Sequence, residues 1–134
     1  MKIVLVEPGK EARLAEIGED LRSMQKTVGG LIQAVYPYED AVALICNDEG
    51  KLMGLPFNRA LRDEDGQIYG TVAGTFFVCG LTEDNFCGLT EQQAEKYLTE
   101  FREPETLVRT NRGVVVVKCS ELPPKTPKRE EMER

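Results

Sequence analysis

The chain contains no histidine and no tryptophan, and its four cysteines are scattered. Each absence removes a class of function. Without histidine a Ser-His-Asp or Cys-His arrangement cannot be assembled, and the usual proton carrier at neutral pH is missing. Carboxylate, Lys, Tyr or Cys chemistry is left, and no spacing singles it out. A zinc site would need the thiolates of Cys46, Cys79, Cys87 and Cys119, no two of which form a C-x-x-C pair. No metal and no other cofactor is expected. Cys46 in "AVALICN" and Cys79 in "GTFFVCGL" read as small buried hydrophobes rather than as a disulfide framework.

Long apolar runs are also missing. No stretch approaches the roughly 20 residues that cross a bilayer. The opening "MKIVLVEPGK" ends its apolar run at Glu7, without the core or cleavage site of a signal peptide. A cytoplasmic location without membrane contact is the expectation. Phosphate-binding loops fail in the same way. "GK" occurs at Gly9-Lys10 and Gly50-Lys51, but Val4 and Ile45 stand where the first glycine of a P-loop belongs. "GTVAGT" enters a strand rather than a helix. The acidic turns "NDEG" and "DEDG" bring their glycine too early for a calcium loop and read as solvated hairpin turns.

Positive charge is scarce: 17 Lys and Arg stand against 23 Asp and Glu, for a net charge of −6. Residues 120–134 carry four of each sign and cancel, so the excess lies on residues 1–119. Such a body argues against nucleic-acid binding, which needs clustered cations. The excess either keeps the protein soluble or, on a sharper reading, imitates nucleic acid.

What is present suits one domain over residues 1–119, followed by a Pro-rich, charged tail over 120–134 that is expected to be flexible. "KIVLVE" reads as a strand and Pro8-Gly9 as a turn, with "EARLAEIG" returning to complete a hairpin. Leu21, Met24 and Val28 make one apolar stripe of a helix that Gly29-Gly30 ends. "LIQAVY" and "AVALICN" follow as strands, the second apolar on both faces and therefore central. "NDEGK" then reads as a hairpin turn with Gly50 left-handed. "GTFFVCGL" is the other strongly apolar strand.

Thr90 and Gln93 form a capping box ahead of Ala94, Tyr97, Leu98 and Phe101 at helical spacing, and Pro104 marks the stop. "TLVRTNRGVVVVKC" reads as a last hairpin turning at Asn111-Arg112-Gly113. The fold class is α+β: a mostly antiparallel sheet with two or three helices packed on it, on one face.

One stretch stands apart, "GLPFNRALRDEDG" from Gly54 to Gly66. The sequence reads as one helical turn around Ala60 and Leu61. Arg59 and Arg62, three apart, would then project together, and two guanidinium forks can hold a carboxylate or phosphate. Asn58 could add a directional amide, and Asp63 stands beside them. In the alternative, Arg59 or Arg62 pairs with Asp63, Glu64 or Asp65 and braces the loop, while Asn58 caps the turn.

Together "VEPGK", "VGGLIQAV", "CNDEGKLMGLPFNRAL" and "GTFFVCGL" resemble a family of small phage, plasmid and bacterial proteins known as domain of unknown function 3846. The likeness runs from about Lys2 to Phe101, leaving the segment after Pro104 as an addition. It implies a mobile-element or bacterial setting and carries over no catalytic residue. Three functional readings follow. The first is a non-enzymatic accessory protein binding a protein or a small anionic ligand through Asn58, Arg59, Arg62 and Asp63. The second is a small hydrolase or transferase using Asp63 and Asp65, and the third an acidic mimic of DNA.

Overall fold

Two short strands open the chain, β1 (Lys2–Val6) and β2 (Arg13–Glu16), paired antiparallel with Ile3 opposite Ala15. Their turn does what Pro8-Gly9 requires: the Lys10 N–H donates to the Glu7 carbonyl at 3.2 Å, and Gly9 takes φ +75°. In this computed structural model residues 1–122 are described. Helix α1 (Leu21–Val28) begins at Asp20, whose carboxylate accepts from the Ser23 N–H, and ends at Gly29 in the left-handed region. Met24 and Val28 of its stripe are buried, whereas Leu21 is exposed.

The apolar segments supply the middle of the sheet. β3 (Ile32–Val35), β4 (Val42–Asn47) and β7 (Phe76–Leu81) join the first hairpin in the order β2-β1-β7-β4-β3, and β8 (Phe86–Cys87) adds to β7. Every pairing is antiparallel. All six residues of β4 are buried, as a strand covered on both faces must be.

Alternation along the strands then sorts two cores. Ile3, Leu5, Ile45 and Phe77 face Met24 and Val28 of α1. On the other face Val4, Leu44, Phe76 and Val78 lie beneath helix α2 (Glu91–Glu100), which contributes Ala94 and Tyr97. The expected layout with both helices on one face is therefore corrected. Since both faces of β4 and β7 are apolar, each needs its own cover, and one helix serves each.

Helix α2 starts at the expected capping box. Thr90 Oγ1 accepts from the Gln93 N–H at 3.1 Å, and Gln93 Oε1 accepts from the Thr90 N–H at 3.0 Å. Phe101 caps its other end and meets Phe76 edge-on, with ring centroids 5.1 Å apart.

The helical turn expected at Ala60 and Leu61 is a strand instead. β5 (Phe57–Arg62) and β6 (Ile68–Ala73) form a hairpin closed by the "DEDG" turn, and its Leu61 and Val72 join the core beside α2. "NDEGK" does not close a hairpin between β4 and β5, which belong to different sheets. Gly50 is not left-handed either; it is small because a Cβ there would sit 2.7 Å from the Ala73 carbonyl oxygen. The left-handed position of this loop is Gly54, at φ +71°.

The last hairpin, β9 (Glu105–Thr110) with β10 (Gly113–Lys118), is as expected. A 3-10 turn over Cys119–Glu121 includes the first residues assigned to a flexible tail, and the rest of that tail lies outside the described residues. Among the described residues no helix is long and apolar enough to cross a membrane.

Candidate functional site

The four residues singled out by sequence divide into two pairs. Asn58 and Arg59 are buried, at 0% and 1% exposure. Strand β5 bulges between Phe57 and Arg59, which breaks the in-out alternation and lets consecutive polar side chains both turn inward. Asn58 Nδ2 donates to the carbonyls of Val6 at 2.9 Å and Gly74 at 2.8 Å, tying β5 to β1 and to the entry of β7.

Arg59 spends every donor it has. Nε and Nη2 both reach the Phe101 carbonyl, at 3.2 and 3.0 Å, and Nη2 also reaches the Lys10 carbonyl at 2.6 Å. Nη1 donates to the Asn58 carbonyl and to Asn58 Oδ1. A guanidinium has five N–H groups, and all are engaged. Phe101 ends α2, so the positive charge also rests against the negative end of that helix. Burial draws the Arg59 pKa below the ordinary arginine value, and the nearby Glu105 carboxylate opposes this.

Arg62 and Asp63 sit elsewhere. Arg62 Nη1 lies 2.8 Å from Glu105 Oε2, and Glu105 Oε1 accepts from the Ala60 N–H at 2.8 Å. Asp63 Oδ1 accepts from the N–H groups of Asp65 and Gln67, both at 2.9 Å, and so shapes the hairpin turn in solvent. The paired arginine fork does not form: one arginine is internal and the other holds a carboxylate. Asp63, Glu64 and Asp65 stand exposed in their turn.

Arg62 and Asp63 nevertheless border the cleft with the strongest chemical character. It measures about 760 Å³ and lies between the Tyr36–Asp40 loop, the Arg62–Asp65 turn and α2. Its aromatic wall is Tyr36, Tyr38 and Tyr97, the last two with ring centroids 4.8 Å apart. Tyr97 Oη donates to Asp40 Oδ2 at 2.7 Å, and Lys96 Nζ reaches the same oxygen at 2.6 Å. These two hydrogen bonds hold the Asp40 carboxyl below the usual carboxylate range.

Burial drives the Tyr38 and Tyr97 phenols up. At Tyr38 the charge on Glu100 adds to burial, and at Tyr97 the bond to Asp40 does. Tyr69 is pushed the same way by desolvation, then by Asp63 and Glu100. Tyr38, Tyr69 and Tyr97 thus remain neutral phenols. The Tyr38 hydroxyl is buried without a hydrogen-bond partner.

The charge balance of this cleft is one-sided. Glu39, Asp40, Asp63, Glu64, Asp65 and Glu100 line it against two cations, Arg62 and Lys96, which already pair with Glu105 and Asp40. No three acidic or cysteine groups among the described residues stand together as metal ligands, so the negative charge is spread rather than focused.

A smaller pocket of about 220 Å³ contains Cys46, Gln33 and Leu61. There burial raises the Cys46 thiol, which lies 3.9 Å from Gln33 Oε1, so it offers no ready nucleophile.

Sequence reasoning missed Tyr36, Tyr38, Asp40, Lys96, Tyr97 and Glu100 as site residues. The one local signal was "YPYED", two tyrosines and two acids in five residues, in which Tyr36 ends "LIQAVY" and the other four join it to "AVALICN".

The chain belongs to the family described as domain of unknown function (DUF3846), which matches residues 1–102. That span covers everything from β1 to the end of α2, including the cleft, and leaves β9 and β10 outside. No curated protein and no solved structure matches the chain.

Proposed function

From membership of that family and the character of the cleft, we propose that this is a non-catalytic binding protein that receives lysine or arginine side chains of a partner protein. The carrying observation is the tyrosine wall beneath a carboxylate rim whose two cations among the described residues are already paired. Aromatic faces attract ammonium and guanidinium groups, and a surrounding negative potential steers them in. Spread carboxylates suit extended cationic side chains better than a small metal ion, which needs several oxygens on one point.

The same facts favour a cationic protein partner over a small anionic ligand. An anion held by both arginines would compete with the carbonyls on Arg59 and the Glu105 carboxylate on Arg62. An accessory role in a phage, plasmid or bacterial host, as the family resemblance implies, belongs to the same proposal. The carboxylate-enzyme reading loses support because Asp63 is engaged in holding its own turn in solvent.

The protein offers its own probe. It has four tyrosines and no tryptophan, so intrinsic fluorescence comes from the tyrosines, three of which line the cleft. Titration with a short oligoarginine peptide should change that emission saturably, and an oligoglutamate peptide of equal length should not. Neutralising Glu39, Glu64 and Glu100 together to glutamine should abolish the response while leaving the thermal midpoint nearly unchanged. Equal responses to both peptides, or an unaltered response in the triple variant, would remove the proposal.

A further inference from the structure

The β9–β10 hairpin lies outside the family match and is poorly covered. Val114, Val115 and Leu107 are 55%, 44% and 46% exposed. In the register, Leu107 opposes Val116 and Val114 opposes Arg109, while Val115 opposes Val108. Val114 and Val115 are consecutive and point to opposite faces, so both faces of this two-stranded unit meet water. A two-stranded ribbon exposed on both sides is marginal in water and gains most from a third strand. Among the described residues, no strand pairs with the far edge of β10.

That edge can be specified atom by atom. The Cys119 N–H donates to the Pro104 carbonyl at 2.8 Å, one step beyond the Glu105–Lys118 pair. Antiparallel ladders alternate bonded and non-bonded pairs. Val117 and Val115 therefore bond inward to β9, whereas the backbone groups of Val114, Val116 and Lys118 point outward. The Lys118 N–H confirms the parity, since it donates to Glu121 Oε1 at 3.3 Å rather than to β9.

We propose that β10 pairs antiparallel with β10 of a second copy of this chain, with Val116 on the two-fold axis. Only outward-facing residues can exchange bonds, and of the registers that match them the two with the greatest strand overlap have their axes at Val115 and Val116. With the axis at Val115, Lys118 would oppose Arg112 of the other copy, a like-charge contact that disfavours pairing. With the axis at Val116, Lys118 opposes Val114, Val115 opposes Val117, and no like charges meet.

The second register can exchange about six backbone hydrogen bonds, two at the Val116 pair and two at each Val114–Lys118 pair, and joins the two hairpins into one four-stranded sheet. The run Val114–Val117 carries no charge and no proline to block the edge, the usual protections of a free strand. Such an interface is small, and the dimer should be weak and concentration-dependent.

Sedimentation equilibrium of the full chain, over roughly a hundredfold range of concentration, tests this. The wild type should pass from monomer to dimer. Val116→Pro removes an outward N–H that β9 does not use, so the hairpin should survive and the dimer should be lost. Val114→Glu, placed opposite Lys118, should tighten the dimer about threefold to tenfold, and Val114→Lys should weaken it by a similar factor.

Circular dichroism and thermal midpoints like those of the wild type would show that each variant folds. A chain monomeric throughout the range overturns the proposal. So does a dimer that Val116→Pro leaves intact, or one indifferent to the sign of charge at position 114.

Discussion

Arg59→Met is the perturbation with the most calculable outcome. Methionine keeps much of the apolar stem and removes the whole guanidinium. The carbonyls of Lys10, Asn58 and Phe101 and the Asn58 side-chain oxygen then lose this donor. A buried polar group left unpaired costs about 1–3 kcal/mol, so four of them set a gross loss of roughly 4–12 kcal/mol. Two effects reduce it: the desolvated charge is no longer carried, and a water can reach the Lys10 carbonyl, whose bond is only partly buried.

A net loss of about 3–5 kcal/mol is expected, a large share of the 5–15 kcal/mol typical of a domain. At roughly 4 °C per kcal/mol the thermal midpoint should fall by about 12–20 °C. Arg59→Lys separates charge from geometry. A lysine keeps the positive charge but has three donors on one atom, and it cannot span Lys10, Phe101 and Asn58 together. It should lose at least half as much stability as methionine. Urea unfolding followed by circular dichroism gives both numbers. A loss below about 1 kcal/mol for Arg59→Met, or a lysine variant as stable as wild type, would refute the account of a geometrically matched fork.

Three further outcomes follow from the same structure. Asp40 has a folded pKa below its ordinary value because Lys96 and Tyr97 bond its charged form, so its contribution is present above the unfolded pKa. The stability difference between wild type and Asp40→Asn should therefore shrink as pH falls below about 4, and a difference that stays constant down to pH 2 would contradict the linkage. Burial pushes the Cys79 thiol up to about 12, with Cys87 adding, and also raises Cys46. Iodoacetamide should therefore alkylate the half-buried Cys87 and Cys119 first in the native protein, as peptide mass spectrometry would show. Gly74→Ala places a Cβ at φ +83° and 2.7 Å from Leu55 Cδ1, and calorimetry should register a loss of about 1–3 kcal/mol.

Local chemistry was legible in the sequence wherever a few neighbouring residues decide the outcome. The Pro8-Gly9 turn, the Gly29 helix end, the Thr90 helix start, the apolar runs of β4 and β7 and the Asn111-Arg112 hairpin turn are of this kind. Strand β5 was not legible. Arginines three apart around Ala60 and Leu61 satisfy helical spacing, and propensity has nothing local to set against it. What makes Phe57–Arg62 a strand is the pairing with β6 and the carbonyls offered by Val6, Lys10 and Phe101, between 42 and 52 residues away in sequence.

The cleft was hidden for the same reason. Asp40 meets Tyr97 across 57 residues, and only the fold sets Tyr38 against that ring. The resemblance carried in part by "GLPFNRAL" identified the family and implied no role for its arginines. In this structure that segment holds β1, β5 and the end of α2 together, while the cleft opens beside it.

The central claim is that the cleft takes cationic side chains, and backbone-amide NMR during a peptide titration tests it most directly. Addition of a short arginine-rich peptide should move the amides of residues 36–40, 62–65 and 96–100 along saturable curves, with β2 and α1 unmoved. The same amides should stay in place when oligoglutamate is added. Shifts spread evenly over the acidic surface, or none at those three segments, would contradict it.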